Sequence, residues 1–264
     1  MAWQIMASYA DYLRQMRMLS RDPVFRGIKV PHGHGEPVLL IPGFLAGDWS
    51  LSVLSEWLQR LGYRVYSSGI DWNVSCPYKT SGLLRRRLDD VAKETQQPVT
   101  IVGHSLGGVL ARYLGASQPQ QVRQIIALGS PIDGSMRIHP LVPFAFKMIQ
   151  RVQRFSEQPL PPCAKDVHCS CEFVKGACGS LLPDVRFTAI YSKQDDIVDW
   201  RACIDPMKAS YEVRGQHLGL IVSPAVYRLL EQLLAHESAD VRITSSEASS
   251  QRTDPDCADL PAAA

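Results

Sequence analysis

The chain has 264 residues, of which 45% are hydrophobic and 20% charged, and its formal net charge is +2. That composition fits one soluble α/β domain of roughly 200–250 residues, with a core large enough to need no disulfide staples. The near-neutral balance gives no electrostatic case for nucleic acid, and no run reaches the ~18 apolar residues of a membrane span.

Residues 1–36 read as an N-terminal helix and lead-in. Trp3, Ile5, Met6, Tyr9, Tyr12, Leu13, Met16 and Leu19 follow helical spacing, so the helix packs on the body or lies on a membrane surface. The segment has no signal-peptide pattern, so the expected address is cytoplasmic. The main domain, 37–237, opens with "PVLLIPG" (Pro37–Gly43), a buried strand closed by Pro-Gly. A helix over Trp49–Gly62, a strand "YRVYSS", a charged helix over Thr80–Gln97 and a buried strand over Pro98–Gly103 follow. Next come a helix to about Ser117 and a strand over Val122–Pro131. Strands at Val185–Ser192 and Ala209–Gly215 lead to a closing helix, Ser223–Glu237, with Ser223 as N-cap and Pro224 at its first position. Alternating strands and helices predict a mostly parallel sheet covered on both faces. Residues 238–264 are small and polar and read as a disordered tail.

The chemistry centres on "TIVGHSLGGVLARYLG", Thr100–Gly115. Gly-x-Ser-x-Gly between an apolar strand and a helix is the nucleophile elbow, a sharp turn that exposes a serine hydroxyl. Gly103 and Gly107 must be small because strand and helix pass very close there. Ser105 is thus the candidate nucleophile. It needs a base, and the base needs an orienting carboxylate, in the chain order Ser, acid, His. That order discards His32, His34 and His104, and His104 reads as a packing residue pointing away from Ser105. His139 and His168 precede the late strands and His236 borders the tail, which leaves His217, after the last strand, as base. "SKQDDIVDW" offers Asp195, Asp196 and Asp199 as acid. Asp195 is favoured because it opens an Asp-x-x-Val pattern in which Val198 tucks the loop down; Asp196 is the alternative and Asp133 an outside candidate. A tetrahedral intermediate also needs two N–H donors, expected from the backbone of Leu106 and of Phe44.

Carried by "LLIPGF", "GHSLGG", "GSPIDGS", "SKQDDIVDW" and "GQHLGL", the chain resembles the α/β-hydrolases, of the bacterial lipase/esterase (triacylglycerol-lipase-like) type, from about Pro37 to Ala235. The resemblance implies a Ser105–His217–Asp195 triad, Phe44 and Leu106 as oxyanion donors, and ester hydrolysis through an acyl-enzyme without metal or other cofactor. Pro42-Gly43 stands where many relatives have His-Gly, a change that hardly touches a role made by backbone. An acyltransferase or thioesterase with the same triad is the alternative; a non-catalytic binding protein on this fold would show a broken triad.

Residues 133–183 interrupt the strand–helix alternation and read as a lid or cap. Ile138–Phe155 has near-helical apolar spacing, with Phe144, Phe146 and Ile149 expected against an acyl chain or an interface. The lid implies a small-molecule or lipid ester substrate and allows transient contact with a lipid surface. Cys163, Cys169, Cys171 and Cys178, with His168 among them and Cys203 later, match no standard zinc spacing. Buried thiols, a structural metal and disulfides all stay open for them.

Overall fold

In the computed structural model, the described residues are 2–132, 138–139, 173, 181 and 183–235. The N-terminal helix α1 spans Ala2–Leu19. The strands are β1 (Pro37–Ile41), β2 (Arg64–Ser67), β3 (Val99–His104), β4 (Val122–Leu128), β5 (Arg186–Ser192) and β6 (Ala209–Val213). Between and after them lie α2 (Ser52–Arg60), α3 (Pro77–Thr95), α4 (Leu106–Ser117) and α5 (Pro224–Ala235). The strands form one parallel sheet in the order β2-β1-β3-β4-β5-β6, as the alternating pattern predicts.

Residue parity sorts the core into two layers. Val38 and Leu40 point to one face with Val102, Ile126 and Leu128, where α2 and α5 supply Leu54, Trp57, Leu58, Tyr227 and Leu230. Leu39 and Ile41 point to the other with Ile101, Ile125 and Ala127, under Leu84, Leu88 and Val91 of α3 and Leu110 and Leu114 of α4. The alternation is the two-residue period of a pleated strand, and because both faces are apolar the interior strand β1 reads as an unbroken hydrophobic run. Trp57 anchors the first layer, its ring 4.7 Å from that of Tyr227 and its Nε1–H donating to the Val24 carbonyl at 2.9 Å.

Two elements start elsewhere than expected. Helix α3 begins at Pro77 rather than Thr80, since a proline at the first helical position has no N–H to leave unsatisfied. The segment expected as one helix from Trp49 opens with a 3-10 turn, Asp48–Leu51, before α2. Helix α1 packs Tyr12, Met16 and Leu19 onto the first layer while Tyr9 and Leu13 stay exposed. Among the described residues, no helix is long and apolar enough to cross a membrane. Most of the proposed lid, the tail and the cysteine cluster, apart from the buried Cys203, lie outside the described residues.

A very tight backbone approach joins β3 to α4 and β1. A Cβ on Gly103 would lie 2.4 Å from the Gly107 backbone, and one on Gly107 would lie 2.1 Å from the Ile41 carbonyl oxygen. The expectation that both positions must be small therefore has a direct steric basis. Gly107→Ala should destabilise the protein by about 3 kcal/mol, the upper end of ordinary overpacking. That corresponds to a fall in Tm of roughly 10 °C for a domain of this size. A circular-dichroism melt matching wild type would contradict the packing argument.

Candidate active site

Four strand ends build the site. β1 leads into the turn that carries Phe44, β3 into Ser105 and α4, β5 into the Asp195 loop, and β6 into His217. In a parallel sheet these carboxyl ends lie along one edge, where ligands bind in open α/β folds. Ser105 has φ 53° and ψ −122°, a conformation that side chains rarely adopt. Its N–H donates to the Leu128 carbonyl at 2.8 Å and its carbonyl accepts from the Gly108 N–H at 3.0 Å. The glycine contacts beneath it leave the chain no relaxed alternative, the usual condition under which such strain persists. Leu106 follows as the first residue of α4.

The structure separates the three carboxylates that the sequence offers after β5. Asp195 Oδ2 accepts the His217 Nδ1–H at 2.7 Å, and its Oδ1 accepts the N–H groups of Ile197 and Val198, each at 2.8 Å. Both side chains are almost fully buried, 2% exposed for Asp195 and 5% for His217. With Nδ1 donating, the neutral imidazole keeps Nε2 as a proton acceptor. Val198 is buried beneath the loop, as its place in the pattern predicts. Asp196 instead accepts the backbone N–H of His217 at 3.2 Å. Asp199 caps a 3-10 turn by accepting the Arg201 N–H at 3.0 Å. Asp133 and the lid residues Phe144, Phe146 and Ile149 lie outside the described residues. The insertion does begin against this loop, because Ile138 pairs with Val198 and the His139 N–H donates to the Ile197 carbonyl at 2.7 Å.

Three contributors escaped the sequence reading. Gly129 lies under the Asp–His pair with φ 53°, and a Cβ there would stand 3.1 Å from Asp195 Oδ2 and 3.3 Å from His217 Nδ1. Only glycine meets both demands. The second is His104. Its ring centroid lies 4.7 Å from that of His217, and its Nε2 is 3.2 Å from the His217 carbonyl. A carbonyl can only accept, so His104 carries its proton on Nε2 and holds the His217 backbone, where the sequence suggested only a packing residue.

The third contributor is α1. Asp11 Oδ2 accepts the Gln216 N–H at 2.8 Å, Ser8 Oγ donates to Asp196 Oδ1 at 3.4 Å, and Gln15 Nε2 donates to the Arg214 carbonyl at 3.4 Å. Spacings of three and four put these polar groups on one helical face, a signal that normally marks a solvated surface. Here that face clamps the His217 loop.

Solved structures with the same architecture include a lipase from Bacillus licheniformis, with TM-score 0.56 and 14% identity over 78% of this chain and 94% of that one. A monoglyceride lipase from Saccharomyces cerevisiae has TM-score 0.55 and 16% identity over 78% of this chain and 90% of that one. The fold is that of the α/β-hydrolases. A family model described as lecithin:cholesterol acyltransferase matches residues 15–148, and the chain belongs to that family. Triacylglycerol lipases of Pseudarthrobacter phenanthrenivorans and Burkholderia plantarii are each 31% identical over 108 residues, which is 38% of this chain. Those matches span 34% and 30% of the two relatives, about a third of their length.

Burial, reinforced by the neighbouring His217, pushes the His104 imidazole from 6.5 down to about 3. The unfolded chain therefore binds a proton at this site that the folded chain refuses between about pH 6.5 and about pH 3. Stability from this residue is fully present above that window and falls as the pH drops through it, by up to about 1.4 kcal/mol per pH unit. His104→Gln keeps an N–H near the His217 carbonyl but cannot titrate. Urea denaturation between pH 6.5 and 4 should show a shallower loss of stability for this variant than for wild type. Parallel slopes would contradict the assignment.

Proposed function

We propose that the protein is a carboxylic-ester hydrolase acting through an acyl-enzyme on Ser105, with His217 as base and Asp195 as its orienting acid. The observation that carries this reading is the buried 2.7 Å bond between His217 Nδ1 and Asp195 Oδ2. It fixes the tautomer whose free Nε2 can take the serine proton, at the sheet edge where the strained Ser105 turn ends β3.

In the first step Ser105 Oγ bonds to the ester carbonyl carbon while its proton passes to His217 Nε2. The carbonyl oxygen becomes an oxyanion, and the backbone N–H groups of Phe44 and Leu106 stabilise it as it forms. Collapse breaks the carbon–oxygen bond of the leaving alcohol, which takes the proton from His217. Water then attacks the acyl-enzyme with His217 again as base, releasing the acid and restoring Ser105.

The substrate reading follows the relatives. Lipases among the matched proteins and structures point to esters of apolar acyl chains. The insertion at 133–183 would cover such a chain, with transient contact to a lipid surface opening it. A second reading comes from the family description, an acyltransferase. The chemistry is shared until deacylation, where an alcohol rather than water accepts the acyl group. Added alcohol acceptors separate the two, because transfer yields a new ester and hydrolysis yields free acid.

A panel of p-nitrophenyl esters of increasing acyl length tests the proposal, with Ser105→Ala as control. Wild type should turn over the panel and Ser105→Ala should lose roughly six orders of magnitude in kcat. Asp195→Asn should lose on the order of 10⁴-fold, because the imidazole loses its orienting acceptor. Asp196→Asn should lose far less, since Asp196 meets His217 at its backbone N–H and not at its ring. Near-normal turnover by Ser105→Ala would sink the proposal. In the same panel, Phe146→Asp should reduce long-chain turnover by tens of fold more than acetate turnover, at about 0.8 kcal/mol per buried methylene. Equal losses on both esters would remove the lid role.

A further inference from the structure

Asn73, in the loop after β2, is a buried amide, 1% exposed. Its hydrogen bonds all run to one target. Nδ2–H donates to the Pro42 carbonyl at 2.9 Å, the backbone N–H donates to the Ala46 carbonyl at 2.7 Å, and the backbone carbonyl accepts the Leu45 N–H at 3.1 Å. These three bonds grip the Pro42–Ala46 turn before and after Phe44.

The turn needs such a grip. The Ala46 N–H closes it onto the Gly43 carbonyl at 3.2 Å, which leaves Phe44 and Leu45 as its central residues. Leu45 sits at φ 61°, a strained position for a branched side chain and one that persists only when its surroundings over-determine it. Gly43 abuts the nucleophile, since a Cβ there would stand 3.1 Å from Ser105 Cβ. The neighbouring stretch is fastened as well. Asp48 accepts the N–H of Ser68 at 3.1 Å, its hydroxyl at 2.6 Å and the Gly69 N–H at 2.8 Å. A Cβ on Gly47 would stand 1.9 Å from the Asp71 carbonyl oxygen, so the two loops run in direct contact. Trp49 and Trp72 pack edge to face at 5.8 Å on the outside.

We infer that Asn73 is the positioning residue of the oxyanion hole, holding the turn so that the Phe44 N–H faces the carbonyl oxygen of a substrate on Ser105. This rests on the serine-hydrolase reading above. The amide is an expensive choice for mere filling. Its Oδ1 is buried without a hydrogen-bond partner among the described residues, and an apolar side chain of similar size would avoid that cost. What only the amide contributes is the Nδ2–H bond to Pro42, one residue before the Gly43–Ala46 turn.

The test compares Asn73→Ala and Asn73→Asp with wild type in kcat and KM for p-nitrophenyl butyrate, and in affinity for an alkyl trifluoromethyl ketone. The ketone adds reversibly to the serine and forms an oxyanion, so it reads the hole directly. Removing a donor from such a hole typically costs 10²–10³-fold in kcat, and displacing one should cost roughly ten- to a hundredfold. The expected result is that drop in kcat with KM within about twofold and ketone affinity reduced in step. Asn73→Asp keeps the shape and both backbone bonds, so it supplies the comparison should Asn73→Ala fail to fold. Two results would overturn the inference: unchanged kcat in both variants, or a loss of kcat and Tm with ketone affinity intact. Failure of the underlying reading looks different, because Ser105→Ala would then retain turnover and wild type would not bind the ketone.

Discussion

Gly103 and Gly107 touch backbone to backbone, and this contact governs more of the molecule than any polar interaction does. It lets α4 start directly over β3 and press against β1, so the chain must reverse within one residue. That residue is Ser105, and its strained dihedrals are the consequence. The same reversal makes Leu106 the first residue of a helix, where backbone N–H groups have no intrahelical acceptor. It also turns His104 toward the last loop of the sheet. The free energy for holding the strain comes from the two apolar layers, which bury β3 on both faces.

Around this rigid centre the remaining groups are set by backbone hydrogen bonds from buried polar side chains. Asp195 is oriented by two N–H donors of its own loop before it meets His217. The His217 segment is gripped from three sides, by Asp196 at its N–H, by His104 at its carbonyl and by Asp11 one residue earlier. The Phe44 turn is gripped by Asn73 in the same manner. Loops carry the chemistry because their side chains can reach a common point, and support of this kind gives them the precision of regular elements.

The sheet and the Ser105, Asp195 and His217 positions were legible in the sequence for a definite reason. Each depends on local patterns: apolar runs with turn signals, glycines around a serine, an Asp-x-x-Val after a strand. Helix ends were less legible where Pro77 and the Asp48–Leu51 turn shifted them by a few residues. The supporting groups were not legible because their partners are remote in the chain. Asp11 meets Gln216 across 205 residues, and His104 meets His217 across 113. A polar stripe on α1 and a histidine beside a nucleophile look like a wet face and a packing residue until the topology brings their acceptors to them. Gly129 has the same character, since its need for space comes from β5 and β6 loops that follow much later.

The central claim is that the strained turn presents Ser105 as the nucleophile. A p-nitrophenyl alkylphosphonate measures this directly, because attack at phosphorus expels one p-nitrophenolate and leaves the phosphonyl group on the attacking oxygen. Wild type should release one equivalent of p-nitrophenolate per chain, and mass spectrometry of the digest should locate the phosphonyl group on Ser105. No stoichiometric release, or an adduct on a different residue, would contradict the account.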